Sequence, residues 1–368
     1  MASPPLLLPG DHVPWFNAPA LSGAPNYSFQ TVAGRHILML FFGSTRIEAS
    51  AAALRLVLER RQMFDDMDAC FFGITLDRED ESSGRITQML PGIRYFLDYS
   101  REVSALYGAI ASKGGGNEVE YRPHWLLVDP GLRVIGRYPI DRGTEALDQL
   151  QASIATSRQA EAAWAPVLQI PNIFEPELCR ELIALYENSG GTESGFMRDV
   201  EGKTVLIVDA AHKQRRDCIV EEQQLKSRIV GRMTRRLNPA LKRAFQFEAT
   251  RIERYLVACY DASGGYFRPH RDNTTKGTAH RQFAVTINLN AEDYEGGELR
   301  FPEFGRRTYR APTGGAVVFS CSLLHEAMPV TRGRRYAFLP FLYNEAAAQI
   351  REANNPYLGE GVGEYRIG

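Results

Sequence analysis

The hydrophobic pattern changes character at Pro166, and that change divides the chain into two folding units. From residue 36 to about 145, short apolar runs alternate with stretches of helical spacing. The run His36-Ile-Leu-Met-Leu-Phe-Phe42 ends at Gly43 and has the character of a buried strand; residues 70–75 and 125–128 are two more. Residues 48–64, 100–107 and 144–154 carry helical spacing, and residues 132–140 return across the Asp129-Pro130-Gly131 turn as a hairpin partner. Strands alternating with helices predict an α/β layout. Beyond Pro166 a strand leads into a helix entered at Glu175-Pro176, with Leu178, Leu182, Ile183, Leu185 and Tyr186 on one face. A second helix is expected over about 222–238. The remainder is mainly strand with Gly and Pro turns: 251–260, 281–290, 297–301, 316–320 and 335–343. Two helices backing a run of antiparallel strands predict a β-sandwich or barrel. The Ala-rich stretch 155–165 reads as the tail of a helix and a short link, and 368 residues fit two domains of ordinary size.

Charge and cysteine usage narrow the class of function. The formal net charge of -1 gives no electrostatic reason to expect nucleic acid or an anionic membrane as partner. The basic run Arg232-Met-Thr-Arg-Arg236 reads as one solvated helix face. Cys70, Cys179, Cys218, Cys259 and Cys321 are scattered, which argues against a disulfide framework and a structural zinc site and fits a reducing compartment. The N-terminal "MASPPLLLPGDHVPWF" lacks the positive start of a secretion signal, and no apolar stretch approaches the ~20 residues that span a bilayer. A cytoplasmic protein without a membrane partner is expected.

The stretch "GGYFRPHRDN", residues 264–273, carries the chemistry. Residues at i and i+2 of a strand share a face, so His270 and Asp272 can offer an imidazole nitrogen and a carboxylate oxygen to one ion. His325 is the candidate third ligand, 53 residues after Asp272 and just beyond the strand at 316–320. Each histidine alone reads more simply as an ordinary core or surface residue. Together, two histidines and one carboxylate make the facial triad of non-haem Fe(II) oxygenases, with positions left open for a bidentate co-substrate and O2.

The surrounding motifs are Tyr255-Leu-Val-Ala-Cys-Tyr260, Gly264 through Asp272, Glu295-Gly-Gly-Glu298 and His325 through Arg335. Over about 166–345 the chain resembles the 2-oxoglutarate- and Fe(II)-dependent oxygenases, specifically the prolyl 4-hydroxylase-like group. The resemblance implies a double-stranded β-helix, or jelly roll, with supporting helices and the metal in one mouth. It implies Fe(II) held by His270, Asp272 and His325, and the distal carboxylate of 2-oxoglutarate held by Arg335. Arginine suits that task because its planar fork makes two charge-assisted hydrogen bonds and stays charged when buried. The neighbouring Arg334 competes for the role, but strand alternation puts it on the opposite face. Tyr260 is expected on the inner wall near the co-substrate, with plain packing as its equal alternative. Relatives often carry a tyrosine on the following core strand; this chain has Asn288 there, taken as a co-substrate contact. The implied reaction converts 2-oxoglutarate and O2 to succinate and CO2 while an unactivated C–H is hydroxylated, with ascorbate a candidate supporting reductant. Retention of Asp272 argues against halogenation. The substrate reading covers a prolyl or other residue of a peptide or protein and a small-molecule amino-acid derivative. The polar loop "NTTKGTAHR", ending in His280 and Arg281, reads as a solvated connection, with a substrate cover as the alternative, and His212 is a weak candidate for the mouth.

The first half shows "PGDHVPWF", "GRHILMLFFGST", "FFGITLD", "YFLDYSREVSALYGA" and "YRPHWLLVDPGLRVIGRY" in order. Over about 5–155 it resembles the peroxiredoxin branch of the thioredoxin fold, with Pro123 where such folds usually carry a cis-proline. That branch places its thiolate in a Pro-x-x-x-Thr-x-x-Cys loop at a helix start. Here Thr45 is retained and Glu48 occupies the cysteine position. A carboxylate cannot attack a peroxide as sulfur does, and Cys70 reads as a small buried hydrophobe. The expected organisation is 1–158 thioredoxin-like and redox-inactive, 165–348 oxygenase, and 349–368 a tail. Two competing readings remain: an iron- or 2-oxoglutarate-responsive binding protein without turnover, and a thiol oxidoreductase acting through Cys70. A homodimer is left open.

Overall fold

The computed structural model describes residues 6–112, 119–159 and 163–367. The chain forms two compact units: Met1–Ala163 with Pro302–Gly305, and Trp164–Phe301 with Arg306–Gly368. Residues 160–162 of the expected link lie outside the described residues.

The first unit is built on a five-stranded sheet in the order Ile93–Leu97, Ala69–Thr75, His36–Gly43, His124–Val128, Val134–Pro139. The first three strands are parallel and the last two join antiparallel. The central strands are buried along their whole length, which is why their sequences are continuous apolar runs without polar alternation. Leu38, Leu40, Phe42, Trp125 and Leu127 form one core with Ala53, Leu54 and Val57 of the helix Glu48–Glu59 and with Ala146, Leu147 and Leu150 of the helix Gly143–Gln159. Elsewhere in the unit Phe16, Phe29, Phe72, Phe96 and Tyr107 meet edge-on or stacked. The expected helix at 100–107 contracts to Glu102–Leu106, because the buried Asp98 carboxylate accepts from the backbone N–H groups of Val103 and Ser104 (3.1 and 2.7 Å) and fixes where it starts. The peptide bond before Pro123 is trans, not cis, the usual state for X-Pro; the Arg122 carbonyl then pairs with Nδ1 of His124 at 2.9 Å.

The second unit is built on two larger antiparallel sheets, beside two two-stranded pairs. The main path runs Leu168–Ile170, Ala316–Ser320, Phe283–Asn288, Arg334–Phe338, Leu256–Asp261, Arg216–Ile219, Thr192–Glu193. The smaller sheet runs Lys213–Gln214, Tyr266–His270, His325–Ala327, Leu299–Arg300, Thr308–Tyr309. Period-two alternation sorts the side chains. Val257, Cys259, Tyr336 and Phe338 pack with Leu178, Leu182, Leu225, Ile229 and Leu241 of the backing helices. Leu256, Ala258, Tyr260, Ala337 and Leu339 pack instead with Phe267, Ala327 and Val330 from the side of the smaller sheet. The result is a sandwich of jelly-roll type with helices behind one sheet.

Local differences from expectation have identifiable causes. The second helix ends at Arg232, widens into a π-turn at Met233–Leu237 and restarts as Asn238–Phe245, because Pro239 has no N–H to continue the ladder. The strand expected at 251–260 breaks at Arg254, which takes a left-handed backbone (φ 67). The strand expected at 335–343 breaks before Pro340. A hairpin, Phe196–Val200 with Lys203–Ile207, adds to the expected elements; its turn at Glu201-Gly202 has positive φ at both positions, as a type I′ turn requires. The boundary at 348 falls inside the helix Glu345–Ala353, which Asn344 caps through the Ala347 N–H. Residues beyond it are not a loose tail: Asn355 and Tyr365 exchange two hydrogen bonds (2.7 and 3.0 Å), and the Gly359 N–H donates to the Thr204 carbonyl at 2.8 Å. Among the described residues no helix is long and apolar enough to cross a membrane.

Candidate metal centre and its cavity

His270 ends one strand of the smaller sheet and His325 begins the next, and the two are register partners. Asp272 lies just past the first strand, with its N–H on the Cys321 carbonyl (3.0 Å). The offered ligand atoms of His270, Asp272 and His325 all lie within 4.8 Å of one another. His270 Nε2 is 3.6 Å from Asp272 Oδ1, and His325 Nε2 is 3.3 Å from Asp272 Oδ2.

Both rings are held in one tautomer by the backbone. His270 Nδ1 meets the Arg268 carbonyl at 2.7 Å and His325 Nδ1 meets the Leu323 carbonyl at 3.0 Å. A carbonyl only accepts, so Nδ1 carries a proton and each Nε2 faces Asp272. Phe267 stacks on His270, and Phe319 packs edge-on to His325. Burial first, then the neighbouring His325, pulls the His270 pKa down to about 4, so the ring is neutral and able to ligate. Burial opposes ionisation of Asp272, but the two histidines and Arg281 more than offset it and hold its carboxyl well below the usual range. Two imidazoles that turn Nε2 toward the same point and one ionised carboxylate are a donor set that fits a divalent first-row metal ion.

The triad opens on a cavity of about 450 Å³. Tyr260 and Arg335 face each other in register across adjacent strands and both line it, with the guanidinium 5.0 Å from the tyrosine ring centre. Arg335 is 2% exposed, and its Nε and Nη1 have no hydrogen-bond partner among the described residues. Gly297 makes room for it: a Cβ there would lie 3.1 Å from Arg335 Cδ, and its φ of 71 suits glycine. An orphaned, buried fork fits the distal carboxylate of a dicarboxylate ligand. Arg334, by contrast, is exposed and paired with Glu187 at 2.9 Å.

Other candidates fall differently. Asn288 is buried but does not line the cavity; its Nδ2 donates to the Ala311 carbonyl at 2.6 Å and its Oδ1 accepts from the Tyr294 hydroxyl at 3.4 Å. Thr286, two residues earlier on the same strand, does line it. His212 lines the cavity between Phe196 and Phe267. His280 and Arg281 are not a solvated connection, and Thr274, Thr275 and Thr278 of their loop line the cavity with Arg281. His280 and Arg281 are buried, and both are held by Glu253, His280 at 2.6 Å and Arg281 at 2.6 and 3.1 Å. Lys213, Arg215 and Arg254 and the later Gly361, Val362 and Gly363 also line the cavity, and no motif in the sequence marks them as a group. The alternation of Lys213 and Arg215 in "HKQRRD" was their one visible signal.

Glu253 supports the site from beneath, because Arg281 also reaches the Asp272 carbonyl at 3.4 Å. Burial raises its pKa, but Arg281 and His280 dominate and hold the folded value well below the ordinary one. A depressed carboxyl stabilises the fold above its unfolded pKa, roughly 4.3, and that stability is lost as pH falls through the folded value. Glu253→Gln leaves Arg281 buried without its counter-charge and is expected to cost about 3–5 kcal/mol in a denaturant titration at neutral pH. The same variant should flatten the acid limb of stability against pH.

Residues 255–343 match the profile of the 2OG-Fe(II) oxygenase superfamily. The chain is 30% identical over 184 residues to the PKHD-type hydroxylase Pfl01_0799 of Pseudomonas fluorescens strain Pf0-1, covering 46% of this chain and 75% of that protein. It spans about two fifths of the length of three other PKHD-type hydroxylases, two from Synechococcus strains and one from Pseudomonas fluorescens Pf-5, at 37%, 37% and 39% identity. Among solved structures, a Pseudomonas putida prolyl-4-hydroxylase aligns with 49% of this chain and 93% of its own, at 18% identity and TM-score 0.38. The peroxidoxin BcpB of Mycobacterium tuberculosis aligns with 40% of this chain and 97% of its own, at 17% identity and TM-score 0.32.

Proposed function

Because this chain belongs to the PKHD-type hydroxylases of the 2OG-Fe(II) oxygenase superfamily, we propose that it is a 2-oxoglutarate-dependent dioxygenase that hydroxylates an unactivated C–H of an amino-acid unit. That unit is a prolyl or other residue of a peptide or protein, or a small-molecule amino-acid derivative. The observation that carries the proposal is the coincidence, in one cavity, of the His270, Asp272, His325 cluster with the unpartnered fork of Arg335.

In this reading His270, Asp272 and His325 hold Fe(II), and Arg335 holds the distal carboxylate of 2-oxoglutarate with Tyr260 as the adjoining wall. Iron with its co-substrate supplies the activation of O2 and the oxidising power. The chain's own residues orient and exclude. The Arg268 and Leu323 carbonyls aim the imidazoles, Phe267 and Phe319 fix the ring planes, and Leu256, Ala284 and Leu339 keep much of the cavity wall apolar. The test is succinate formation from 2-oxoglutarate by anaerobically purified protein given Fe(II) and then O2. Slow turnover without substrate suffices as a readout.

The first unit is proposed to be a peroxiredoxin-like, thioredoxin-fold module that has lost peroxide chemistry. Glu48 opens the helix where the resemblance puts a thiolate, and it is exposed and paired with Arg55 at 2.5 Å. The preceding loop is tied down from within: the buried Asp80 accepts from the Thr45 hydroxyl, the Thr45 N–H (3.2 Å) and the Thr75 hydroxyl (2.6 Å). All five cysteines are buried, and burial pushes the Cys70 thiol up to about 12, so no thiolate forms near neutral pH. The full chain is therefore expected to consume no hydrogen peroxide with dithiothreitol or thioredoxin as reductant, and Cys70→Ala should leave that baseline unchanged. Peroxide consumption that Cys70→Ala removes would restore the thiol reading.

A further inference from the structure

One cation in the cavity lacks a counterpart. Seven cationic side chains and four carboxylates line it, and the partners can be assigned one by one. Arg215 is held by Asp217 through two bonds of 2.7 Å, and Arg281 by Glu253. Lys213 donates to the Ser194 hydroxyl and the Gly195 carbonyl, both at 2.6 Å. Arg271 donates to the Ser322 carbonyl, and Arg351 to the Tyr343 hydroxyl at 2.8 Å. Arg335 belongs to the co-substrate in the reading above. That leaves Arg254, which makes no hydrogen bond and no ion pair with any described residue, and whose Nε is sealed from solvent.

Its position is built into the fold. Arg254 sits at the left-handed break in the strand, a conformation that ordinary side chains seldom adopt. Its guanidinium lies 4.2 Å from the centre of the Phe341 ring, and Arg281 lies 4.2 Å from the same ring. Arg281 in turn reaches the Asp272 carbonyl. The unpartnered fork is thus linked to the triad by two side chains. Burial, then Arg281 and Arg215, brings its pKa down to about 10, so it is charged at neutral pH and carries that charge against its surroundings. A cation kept inside a cavity without an acceptor is the kind of group a ligand satisfies.

We infer that the substrate carries a carboxylate received by Arg254, while the C–H to be hydroxylated lies toward His270, Asp272 and His325. The inference rests on the oxygenase reading and names its substrate class. The guanidinium fork matches a carboxylate in two parallel bonds, and the Phe341 face holds its plane. The α-carboxylate of a free amino acid and an acidic group of a peptide share this chemistry, and the test separates them.

The whole two-unit chain is loaded with Mn(II) as an inert stand-in and titrated with 2-oxoglutarate by calorimetry. The ternary complex is then titrated with the twenty free L-amino acids, with their carboxamides, and with a capped tripeptide library in which one position is Glu or Gln. The strongest carboxylate ligand should bind at least ~10-fold more tightly than its amide partner, since hydrogen bonds to charged groups exceed neutral ones by more than a kcal/mol. Arg254→Gln should erase that ratio and Arg254→Lys should keep part of it. A preference among free amino acids identifies a small-molecule substrate, and one confined to Glu tripeptides identifies a peptide. Equal binding of acids and amides, an unchanged preference in Arg254→Gln, or no carboxylate ligand despite 2-oxoglutarate binding overturns the inference alone. Failure of the wild type to bind 2-oxoglutarate overturns the oxygenase reading and this inference with it. Titration of 2-oxoglutarate in each variant shows whether the cavity is still folded; if Arg254→Gln fails there, the comparison with Arg254→Lys decides.

Discussion

Replacing His270 by alanine is expected to abolish iron-dependent conversion of 2-oxoglutarate to succinate. The loss should be at least ~100-fold, because removing a mere outer partner of a ligand already costs 10–100-fold in metal affinity or activity. The geometry explains why the remaining groups cannot compensate. His270 and His325 approach Asp272 from adjacent strands, each at a fixed ring angle, so deleting one imidazole leaves two protein donors and no mobile third. The fold should survive, since Asp272 keeps His325 beside its carboxylate and Arg281 on its carbonyl. Fe(II) stoichiometry by equilibrium dialysis, thermal melting and succinate formation should therefore part company: metal and product lost, the melting curve retained. Equal succinate from wild type and variant would sink the triad. No succinate from either sends the question to 2-oxoglutarate calorimetry, where absent binding favours a relic site.

The triad was legible because its logic is local. His270 and Asp272 are placed by two-residue spacing, and His325 by its position beyond a continuous apolar strand. The ten-residue spacing from His325 picked Arg335, strand alternation put Arg334 on the opposite face, and the burial of one and exposure of the other match this. Much of the rest was set by partners remote in sequence. "NTTKGTAHR" has the composition of a solvated loop, yet Glu253, 27 residues before His280, supplies the buried acceptor that turns its end inward. Asn288 has the parity of a cavity residue, but the Ala311 carbonyl, 23 residues away, takes its amide. Arg254 reads as an ordinary strand charge until the left-handed break places it beside Phe341. In the first unit the strand Ile93–Leu97 escaped notice because it follows Pro91-Gly92 in a short mixed stretch, and only its pairing with Ala69–Thr75 makes it a strand. Hydrophobic period fixes which face a residue occupies; it does not say which distant group closes over that face.

Arg335→Gln should move two measurements in opposite directions. Affinity for 2-oxoglutarate should fall by at least ~30-fold, since truncating one member of a buried charge pair costs 2 kcal/mol or more. The ligand-free protein should melt at a higher temperature, because the wild type keeps a buried guanidinium whose Nε and Nη1 have no partner until a ligand arrives. A shorter, neutral amide removes that buried charge and its penalty. Arg335→Lys separates charge from shape: it keeps the positive charge, loses the fork, and should fall between the two in affinity. The cavity offers alternative anchors in Lys213, Arg215 and Arg254, so unchanged affinity in Arg335→Gln would mean that the co-substrate lies against one of these instead. The hydrogen bonds argue against Lys213 and Arg215. Arg215 is already spent on Asp217, and Lys213 on Ser194 and Gly195, with burial and Arg215 holding its pKa well below that of a free lysine. Recruiting either means breaking bonds that are already made. Arg335 has donors to give without breaking any, and so the stability gain and the affinity loss should appear in the same variant.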